Sequence, residues 1–331
     1  MYSIETKSLT KEFGDVKAVD GISFQVEEGE IFGFLGPNGA GKSTTMMILT
    51  TLLKPTSGQA LVSGFDVTTQ AKQVRQNIGY VQQETAVDEF LTGRENLLFQ
   101  AKLNHIPKNQ ISKRIDEILE LIELTEKQND AVLTYSGGMR KRLDIAGGLL
   151  HMPKVLFLDE PTVGLDIQTR RKIWEYIRKI HKEFNMTIFV STHYMEEADK
   201  LCDRIGIIDH GKIQAIDTPQ NMKNALGNEV INFTIEGENK DELISKLKDI
   251  ELISDISTKE DKITVFASKG TEVIPKIFQL SSELQMKINS ISLTQPTLDD
   301  VFISYTGHEL RDESENYNRK REHAKMKRLR A

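Results

Sequence analysis

The chain has 331 residues, of which 38% are apolar, which is enough for two domains of ordinary size with buried cores. Its single cysteine excludes an internal disulfide, and no apolar run approaches the roughly 18 residues that a membrane-spanning helix needs. The formal charge of -6 is unevenly distributed, because the last residues, 319–330, are strongly basic. We therefore expect a soluble globular protein of a reducing compartment, with at most a peripheral role at a membrane.

The N-terminal part predicts strands that lead to a glycine-rich turn. Alternating apolar residues indicate strands at 2–9 and 22–26. EIFGFL at 30–35 is a short apolar run, typical of a strand that is covered on both faces. Residues 43–53 have the pattern of a helix that stops before Pro55. The sequence GPNGAGKST therefore lies on a strand-to-helix turn.

The middle of the chain changes from helical to strand-like patterns. Residues 89–126 are helical and charged, which predicts a helical insertion in an α/β core. Buried strand patterns return at 155–158 and 187–191, with a helical pattern at 169–184 between them. Strand, helix, strand is the repeating unit of a parallel sheet, so we expect a parallel core.

The composition changes after Gly227, and the order of the predicted elements changes with it. The expected strands and helices alternate as β-α-β-β-α-β, at 231–235, 241–247, 252–257, 263–266, 272–284 and 288–293. This order is that of a split-βαβ, ferredoxin-like arrangement. We predict a first domain at 1–225, a small α+β domain at 228–306, and a basic disordered tail at 307–331. Adhesion to anionic lipid headgroups is the alternative for the tail.

The clearest chemistry lies in the turn after the strand at 30–35. It fits G-x-x-x-x-G-K-[ST] in full, between a predicted strand and a predicted helix, as the motif requires. Backbone N–H groups of such a loop bind phosphate oxygens, while Lys42 would bind the outer phosphates and Ser43 would offer a hydroxyl to Mg²⁺. The predicted nucleotide-binding residues are Gly36, Pro37, Asn38, Gly39, Ala40, Gly41, Lys42, Ser43 and Thr44.

Two carboxylates, Asp159 and Glu160, follow the apolar strand VLFL. In open α/β sheets, ligands gather at the carboxyl ends of the strands. Asp159 is therefore placed to reach Mg²⁺, and Glu160 to polarise an attacking water. Together with the glycine loop, these acids predict a site that hydrolyses a nucleotide.

Three single residues follow other predicted strands and turns: Gln83 after IGYV, Asp166 after PTVGL, and His193 in TIFVSTH. With YSGGMRKR at 135–142, they complete a pattern that resembles the nucleotide-binding subunits of ABC transporters. GPNGAGKS is similar to that family's Walker A motif, VLFLDE to its Walker B motif and YSGGMRKR to its signature. The three residues match the Q-loop, the D-loop and the switch histidine. Order and spacing agree over about residues 1–220.

The resemblance implies a fold class and an assembly. The fold would be α/β, a P-loop NTPase of the ABC type, with a parallel-sheet core, an N-terminal antiparallel β part and a helical subdomain at about 85–150. The family hydrolyses ATP in a head-to-tail dimer that drives a membrane permease. We therefore expect ATP and Mg²⁺ as ligands, a homodimer, a separate transmembrane permease as partner, and a cytoplasmic position, peripheral on the inner face of the cell membrane.

The resemblance also implies roles for the matched residues. Phe13, in KEFGD, would stack on adenine. Gln83 would contact Mg²⁺ or the attacking water, and His193 would hydrogen-bond the γ-phosphate. In the head-to-tail dimer, Ser136, Gly137 and Gly138 would face the γ-phosphate held by the other subunit, and Asp166 would join the same site. The basic residues after the signature glycines, Arg140, Lys141 and Arg142, are expected to bond to neighbouring loops.

A narrower resemblance extends beyond the ATPase domain. YSGGMRKRLDIA, PTVGLD and PTLDDVFISYTG are similar to the ATPases of drug and antibiotic exporters of the daunorubicin-resistance type, through about Arg311. In those proteins the C-terminal extension is linked to regulation or assembly of the dimer. The alternative is a layer that only stabilises the ATPase domain. The expected function is ATP-driven export of a drug-like or other hydrophobic compound.

Two other classes of function remain as alternatives. An ABC protein of translation or DNA repair would usually carry two cassettes or a long coiled coil between the Walker motifs, whereas this chain has one cassette and no sustained heptads. Its acidic main body would also repel a phosphate backbone, so no nucleic-acid partner is expected. A non-catalytic, ATP-gated regulatory subunit is the second alternative, against which Glu160 and His193 argue.

Overall fold

A computed structural model describes residues 1–227, 229–237, 239–259 and 262–306. Backbone contacts divide the chain into two compact units, one built from Met1–Ile216 and one that begins at Asp217. The boundary expected between 225 and 228 stays a prediction, and the expected tail, 307–331, lies outside the described residues. In the described ranges, no helix is long and apolar enough to cross a membrane.

The elements up to the start of the second unit alternate between strands and helices. Two short 3-10 helices also occur, at Thr125–Lys127 and Val132–Thr134. In chain order the others are β1 (Tyr2–Phe13), β2 (Val16–Glu27), β3 (Ile31–Leu35), α1 (Lys42–Leu49), β4 (Ser57–Val62), β5 (Phe65–Asp66), α2 (Ala71–Asn77), β6 (Ile78–Val81), α3 (Gly93–Leu103), α4 (Lys108–Leu121), α5 (Gly137–Leu149), β7 (Val155–Asp159), α6 (Ile167–Phe184), β8 (Thr187–Thr192), α7 (Met195–Leu201), β9 (Arg204–Asp209) and β10 (Lys212–Asp217).

The N-terminal strands form an antiparallel sheet in the order β2-β1-β4-β5. This confirms the antiparallel β part. β1 and β2 are longer than the predicted strands because they continue into a hairpin around Gly14, whose φ of 57° is favourable for glycine. The helix after the glycine-rich turn ends at Leu49 rather than at Leu53, because Thr51 takes a left-handed backbone conformation with a φ of 66°.

The central sheet has the order β10-β9-β3-β8-β7-β6, and the pairs β9-β3, β3-β8, β8-β7 and β7-β6 are parallel. Every residue of β3, β7 and β8 is buried, as expected for apolar strands that are covered on both faces. Because the pairing is parallel, the carboxyl ends of β3, β6, β7 and β8 lie along one edge. The residues that follow these four strands are therefore brought together.

The region of the predicted helical subdomain contains α3, α4 and α5. Thr92 begins α3 with a capping box, in which its side chain accepts from the N–H of Glu95 and the Glu95 side chain accepts from the N–H of Thr92. The buried face of α4 carries isoleucine at 111, 115 and 118, with helical spacing. The isoleucine spacing of α4 belongs to the helical pattern that predicts this region, whereas the cap at Thr92 is a finding of the structure.

The second unit confirms the predicted order β-α-β-β-α-β. The described elements from Asp217 onward are α8 (Pro219–Leu226), β11 (Glu229–Glu236), α9 (Lys240–Lys248), β12 (Ile253–Lys259), β13 (Lys262–Ala267), α10 (Gly270–Glu283), β14 (Lys287–Thr294) and α11 (Leu298–Thr306). The antiparallel sheet has the order β12-β13-β11-β14, that of a ferredoxin-like fold. Apolar residues of α9, α10 and the sheet share one core. The sequence did not predict the flanking helices α8 and α11.

One close approach fixes α5 against the central sheet. A Cβ atom added to Gly79 on β6 would lie 2.4 Å from the main-chain oxygen of Gly148 on α5. We expect Gly79→Ala to destabilise the first unit by roughly 1 to 3 kcal/mol, because backbone atoms cannot yield as a flexible side chain would. The lower urea midpoint would be followed by fluorescence of Trp174, the chain's single tryptophan, which is buried on α6.

Gly147→Ala is the matched control for this substitution. Its added Cβ would lie 3.4 Å from the flexible side chain of Gln100, which is an ordinary contact. The change also favours the helix, since alanine has the higher helix propensity. An equal loss of stability in the two variants would contradict the proposed close packing of α5 on β6.

Candidate active site

The glycine-rich loop joins the end of β3 to the start of α1 and encloses a tight curve of backbone. A Cβ on Gly36 would lie 2.2 Å from the main-chain oxygen of Ile208, and one on Gly41 would lie 2.4 Å from that of Ala18. Gly41 also has a φ of 107°, a conformation that favours glycine. Since Gly41 begins α1 without a side chain, the first N–H groups of the helix remain available to an anion.

Lys42 lies buried in the curve of this loop, with 4% of its side chain exposed. Its ammonium donates to the main-chain oxygens of Gly36, at 2.8 Å, and Pro37, at 3.0 Å. The same ammonium lies 3.2 Å from Oε1 of Glu160. The loop therefore places the Lys42 ammonium directly beside the carboxylate that follows β7.

Asp159 and Ser43 form the second pair of the site. The Ser43 hydroxyl donates to Oδ1 of Asp159 at 3.2 Å, and the Ser191 hydroxyl donates to the same oxygen. On β6, burial, reinforced by a hydrogen bond to Asp159 and its charge, raises the pKa of Tyr80 to about 12. A hydroxyl beside a carboxylate at the phosphate-binding loop is the donor set that Mg²⁺ takes together with substrate phosphates. The residues present therefore fit Mg²⁺.

Glu160 is held in an unusual backbone conformation, with a φ of 45°. Its N–H donates to both the hydroxyl and the main-chain oxygen of Ser191, each at 3.1 Å. Nδ1 of His193 lies 3.2 Å from Oε2 of Glu160, at an ion-pair distance rather than in an aligned hydrogen bond. Burial alone would raise the pKa of Glu160, but His193 and Lys42 outweigh it and lower the pKa below its ordinary value. Glu160 is therefore a carboxylate at neutral pH.

The loop around His193 is tied to the segment before α6. The ring of Tyr194 lies 4.2 Å from that of His193, and the guanidinium of Arg170 stacks 3.9 Å from the Tyr194 ring. Nε of Arg170 also donates to the main-chain oxygen of Leu165 at 3.0 Å. Asp166, the next residue, caps α6, and its hydrogen bonds with Thr169 lower the pKa of its carboxyl.

Ser136, Gly137 and Gly138 lie at the start of α5, where Ser136 and Gly137 are exposed. The Ser136 hydroxyl accepts from the N–H of Met139 at 3.3 Å, so Ser136 caps the helix. A Cβ on Gly138 would lie 2.6 Å from Cγ2 of Thr169, and one on Gly137 would lie 3.3 Å from Cδ2 of Leu165. The two glycines thus let the signature pack closely on the segment that contains Asp166.

The basic residues after these glycines bond to neighbouring loops, as expected. Arg140 donates to the main-chain oxygens of residues 133 and 135 and pairs with Glu89. Lys141 donates to the main-chain oxygens of residues 82 and 83, and Arg142 donates to that of residue 122. The three basic side chains therefore hold α5 against neighbouring segments of the chain.

Gln83 and Phe13 lie in exposed positions. Gln83 is the second residue of the loop after β6 and lines a cleft of about 230 Å³, which it shares with Gly137 and Leu165. Phe13 ends β1 with half of its surface exposed, and the ammonium of Lys11 lies 5.0 Å from the centre of its ring. An exposed aromatic ring of this kind is available for stacking on a base.

The structure brings five of the predicted residues together at the sheet edge in two contacting groups: Lys42 and His193 each contact Glu160, and Ser43 contacts Asp159. The sequence reasoning missed the contributions of Ser191, Tyr80 and Arg170. Ser191 lies opposite Asp159 in the parallel register of β7 and β8. A register taken from the two apolar strands would have found it, whereas the stacking of Arg170 on Tyr194 has no signal in sequence spacing.

Family comparisons match both units. The family described as "ABC transporter" matches residues 19–163. The family described as "ATP-binding protein DrrA1-3-like, C-terminal domain" matches residues 218–306. The linearmycin resistance ATP-binding protein LnrL of Bacillus subtilis is 37% identical over 93% of this chain and 100% of its own. The daunorubicin/doxorubicin resistance ATP-binding protein DrrA of Streptomyces peucetius is 38% identical over 94% of each chain.

Solved structures show the same likeness for the ATPase part. The protein cbiO1 of Clostridium perfringens, part of the ABC transporter complex cbiONQ, has a TM-score of 0.63 and 29% identity, over 66% of this chain and 90% of its own. The ATP-binding cassette MJ0796, solved as a dimer bound to ADP and Pi, has a TM-score of 0.58 and 28% identity, over 65% and 98%. The chain therefore belongs to the ABC transporter family, as an ATP-binding, ATP-hydrolysing subunit of the daunorubicin-resistance type.

Proposed function

We propose that this chain works as a homodimer at the inner face of the cell membrane, where Mg²⁺-dependent ATP hydrolysis drives a separate permease that exports a drug-like or other hydrophobic compound. The observation that carries the proposal is the contact of Lys42, Glu160 and His193 beside the Ser43–Asp159 pair. The names of the relatives, which refer to linearmycin and daunorubicin resistance, support the export of such compounds.

The first step of the mechanism is a change of partners for the buried charges. In the structure, the Lys42 ammonium pairs with Glu160 and donates hydrogen bonds to two main-chain oxygens of the loop. The outer phosphates of ATP offer Lys42 a stronger anionic partner. Glu160, which is ionised, is then released to orient a water molecule and to accept its proton. The proposed role of His193 is a hydrogen bond to the γ-phosphate.

The pair formed by Ser43 on α1 and Asp159 at the end of β7 fits a metal ion. Bound by Ser43 and Asp159 together with phosphate oxygens, Mg²⁺ would neutralise the charge that develops during phosphoryl transfer. The hydrogen bonds from Ser43 and Ser191 orient the Asp159 carboxylate toward the loop. We assign Gln83 to the attacking water or to the metal, and Phe13 to the adenine ring.

The signature residues complete the site of the other subunit. Ser136, Gly137 and Gly138 lie at the N-terminus of a helix, where unpaired N–H groups and the helix dipole favour an anion, and Ser136 and Gly137 are exposed. Their own subunit already has a phosphate loop at 36–43. We therefore propose that they, with Asp166, close on the γ-phosphate of the partner subunit in a head-to-tail dimer. The proposed domains remain 1–225, with its helical subdomain, and an accessory domain at 228–306.

We expect Glu160→Gln to bind ATP with an affinity close to that of the unaltered protein. Turnover should fall by roughly two orders of magnitude or more, because glutamine cannot accept the proton of water. Phosphate release by the purified protein, with and without its permease, measures the loss. Glu117→Gln, an exposed glutamate on α4, serves as the control and should leave turnover unchanged. Phosphate release near the original rate from Glu160→Gln would exclude Glu160 as the base.

We expect Ser136→Arg and Gly138→Asp to abolish dimerisation driven by ATP, because each places a bulky or charged group at the signature. Size-exclusion chromatography with light scattering would measure this loss, on a Glu160→Gln background that retains ATP. Monomeric nucleotide binding should persist, since the loop at 36–43 is untouched. Ser57→Arg, at an exposed position on β4, is the matched control. If Ser136→Arg also lost nucleotide binding as a monomer, the signature would not act in the partner's site.

A further inference from the structure

A buried ion pair lies one turn along α5 from the signature glycines. The Lys141 ammonium lies 3.4 Å from Oδ2 of Asp144, and only 5% of the Lys141 side chain and 9% of the Asp144 side chain are exposed. Burial lowers the pKa of Lys141 and raises that of Asp144, and the two opposite charges offset part of each shift. A pair of this kind rarely stabilises a fold more than apolar side chains would.

Both members of the pair bind the loop that carries Gln83. The Lys141 ammonium donates to the main-chain oxygen of Gln82 at 2.8 Å and to that of Gln83 at 3.3 Å. Oδ1 of Asp144 accepts from the N–H of Ala86 at 3.3 Å. The ammonium of a lysine has three N–H donors, and Lys141 has three acceptors: these two main-chain oxygens and Oδ2 of Asp144. The ion pair is therefore hydrogen-bonded to both ends of the 82–86 loop.

The rest of α5 connects the 82–86 loop rigidly to the signature. Gly148, farther along the helix, packs against Gly79 on β6, the strand that runs directly into the 82–86 loop. The opposite end of the helix is the signature, capped by Ser136. The residues at 82–86 themselves are exposed, so the Lys141–Asp144 pair is a main source of order for them.

We propose that Lys141 and Asp144 are positioning residues for Gln83, which link the signature of one ATP site to the Q-loop of the other. The inference rests on the proposed function, in which the signature end of α5 meets the partner's nucleotide. When that end is drawn toward the γ-phosphate, the ion pair carries the 82–86 loop with it. Gln83 of the same subunit then takes its place in that subunit's own site, and the two sites respond together.

The test replaces both charges with apolar side chains of similar size, Lys141→Met with Asp144→Leu. No buried charge is left unpaired, so the protein should fold with a urea midpoint near that of the unaltered chain, read from Trp174 fluorescence. ATP affinity of the monomer should stay within about twofold, whereas kcat should fall by roughly tenfold or more and the cooperativity of turnover in ATP should disappear. The double variant Lys141→Gln with Asp144→Asn keeps hydrogen-bonding groups and should recover part of kcat.

The matched control makes the same change in an exposed pair. Lys113 and Glu117 on α4 lie 3.8 Å apart with most of their surface in solvent, so Lys113→Met with Glu117→Leu should leave kcat and cooperativity unchanged. Full turnover with full cooperativity in the apolar Lys141–Asp144 variant would overturn the inference. A polar double variant that is as slow as the apolar one would overturn it too.

Amide hydrogen exchange decides the question if the apolar variant does not fold. In Glu160→Gln protein, ATP should increase the protection of the 82–86 amides. The added Ser136→Arg change should remove that increase, and the added Lys141→Gln with Asp144→Asn change should reduce it. An increase of the same size with and without the changes at 141 and 144 would overturn the inference. Its failure is distinguishable from failure of the proposed function, because the latter shows as full phosphate release by Glu160→Gln whatever residues 141 and 144 are.

Discussion

The site depends on the buried contact between Lys42 and Glu160, which are 118 positions apart in the sequence and meet because β3 and β7 end on the same edge of the sheet. Neither charge would be tolerated alone at this depth. Lys42, together with His193, lowers the pKa of Glu160 and so keeps its side chain a carboxylate. Parallel register supplies the remaining groups, since Ser191 lies opposite Asp159 and His193 follows two residues later.

Local sequence patterns were enough to predict the parallel core, the ferredoxin-like second unit and the central charged residues. The reason is physical: strands buried on both faces must be apolar, and a phosphate loop needs glycines where a Cβ would strike backbone. Helix ends were less predictable. α1 stops at Leu49 because of the backbone at Thr51, and α11 begins after Thr297, whose hydroxyl accepts from the N–H of Asp300.

Contacts between distant loops could not be read from the sequence at all. Three consecutive basic residues of α5 have similar chemistry but different partners. Arg140 binds the 133–135 turn, Lys141 binds the 82–86 loop, and Arg142 binds the end of α4. Their partners are mostly main-chain oxygens, which every residue possesses and no motif records. The sequence motif therefore predicts where α5 begins, whereas only the structure shows which segment each of its three cations binds.

The contact between Gly138 and Thr169 has a consequence for how fast subunits assemble. It joins the signature and the segment around Asp166 into one preformed surface, which Ser136 and Asp166 brace further by capping their helices. In the proposed dimer, little chain entropy would be lost at this surface on contact. Two nucleotide-loaded subunits would then meet as rigid bodies, with an association rate governed by diffusion and charge rather than by the ordering of loops.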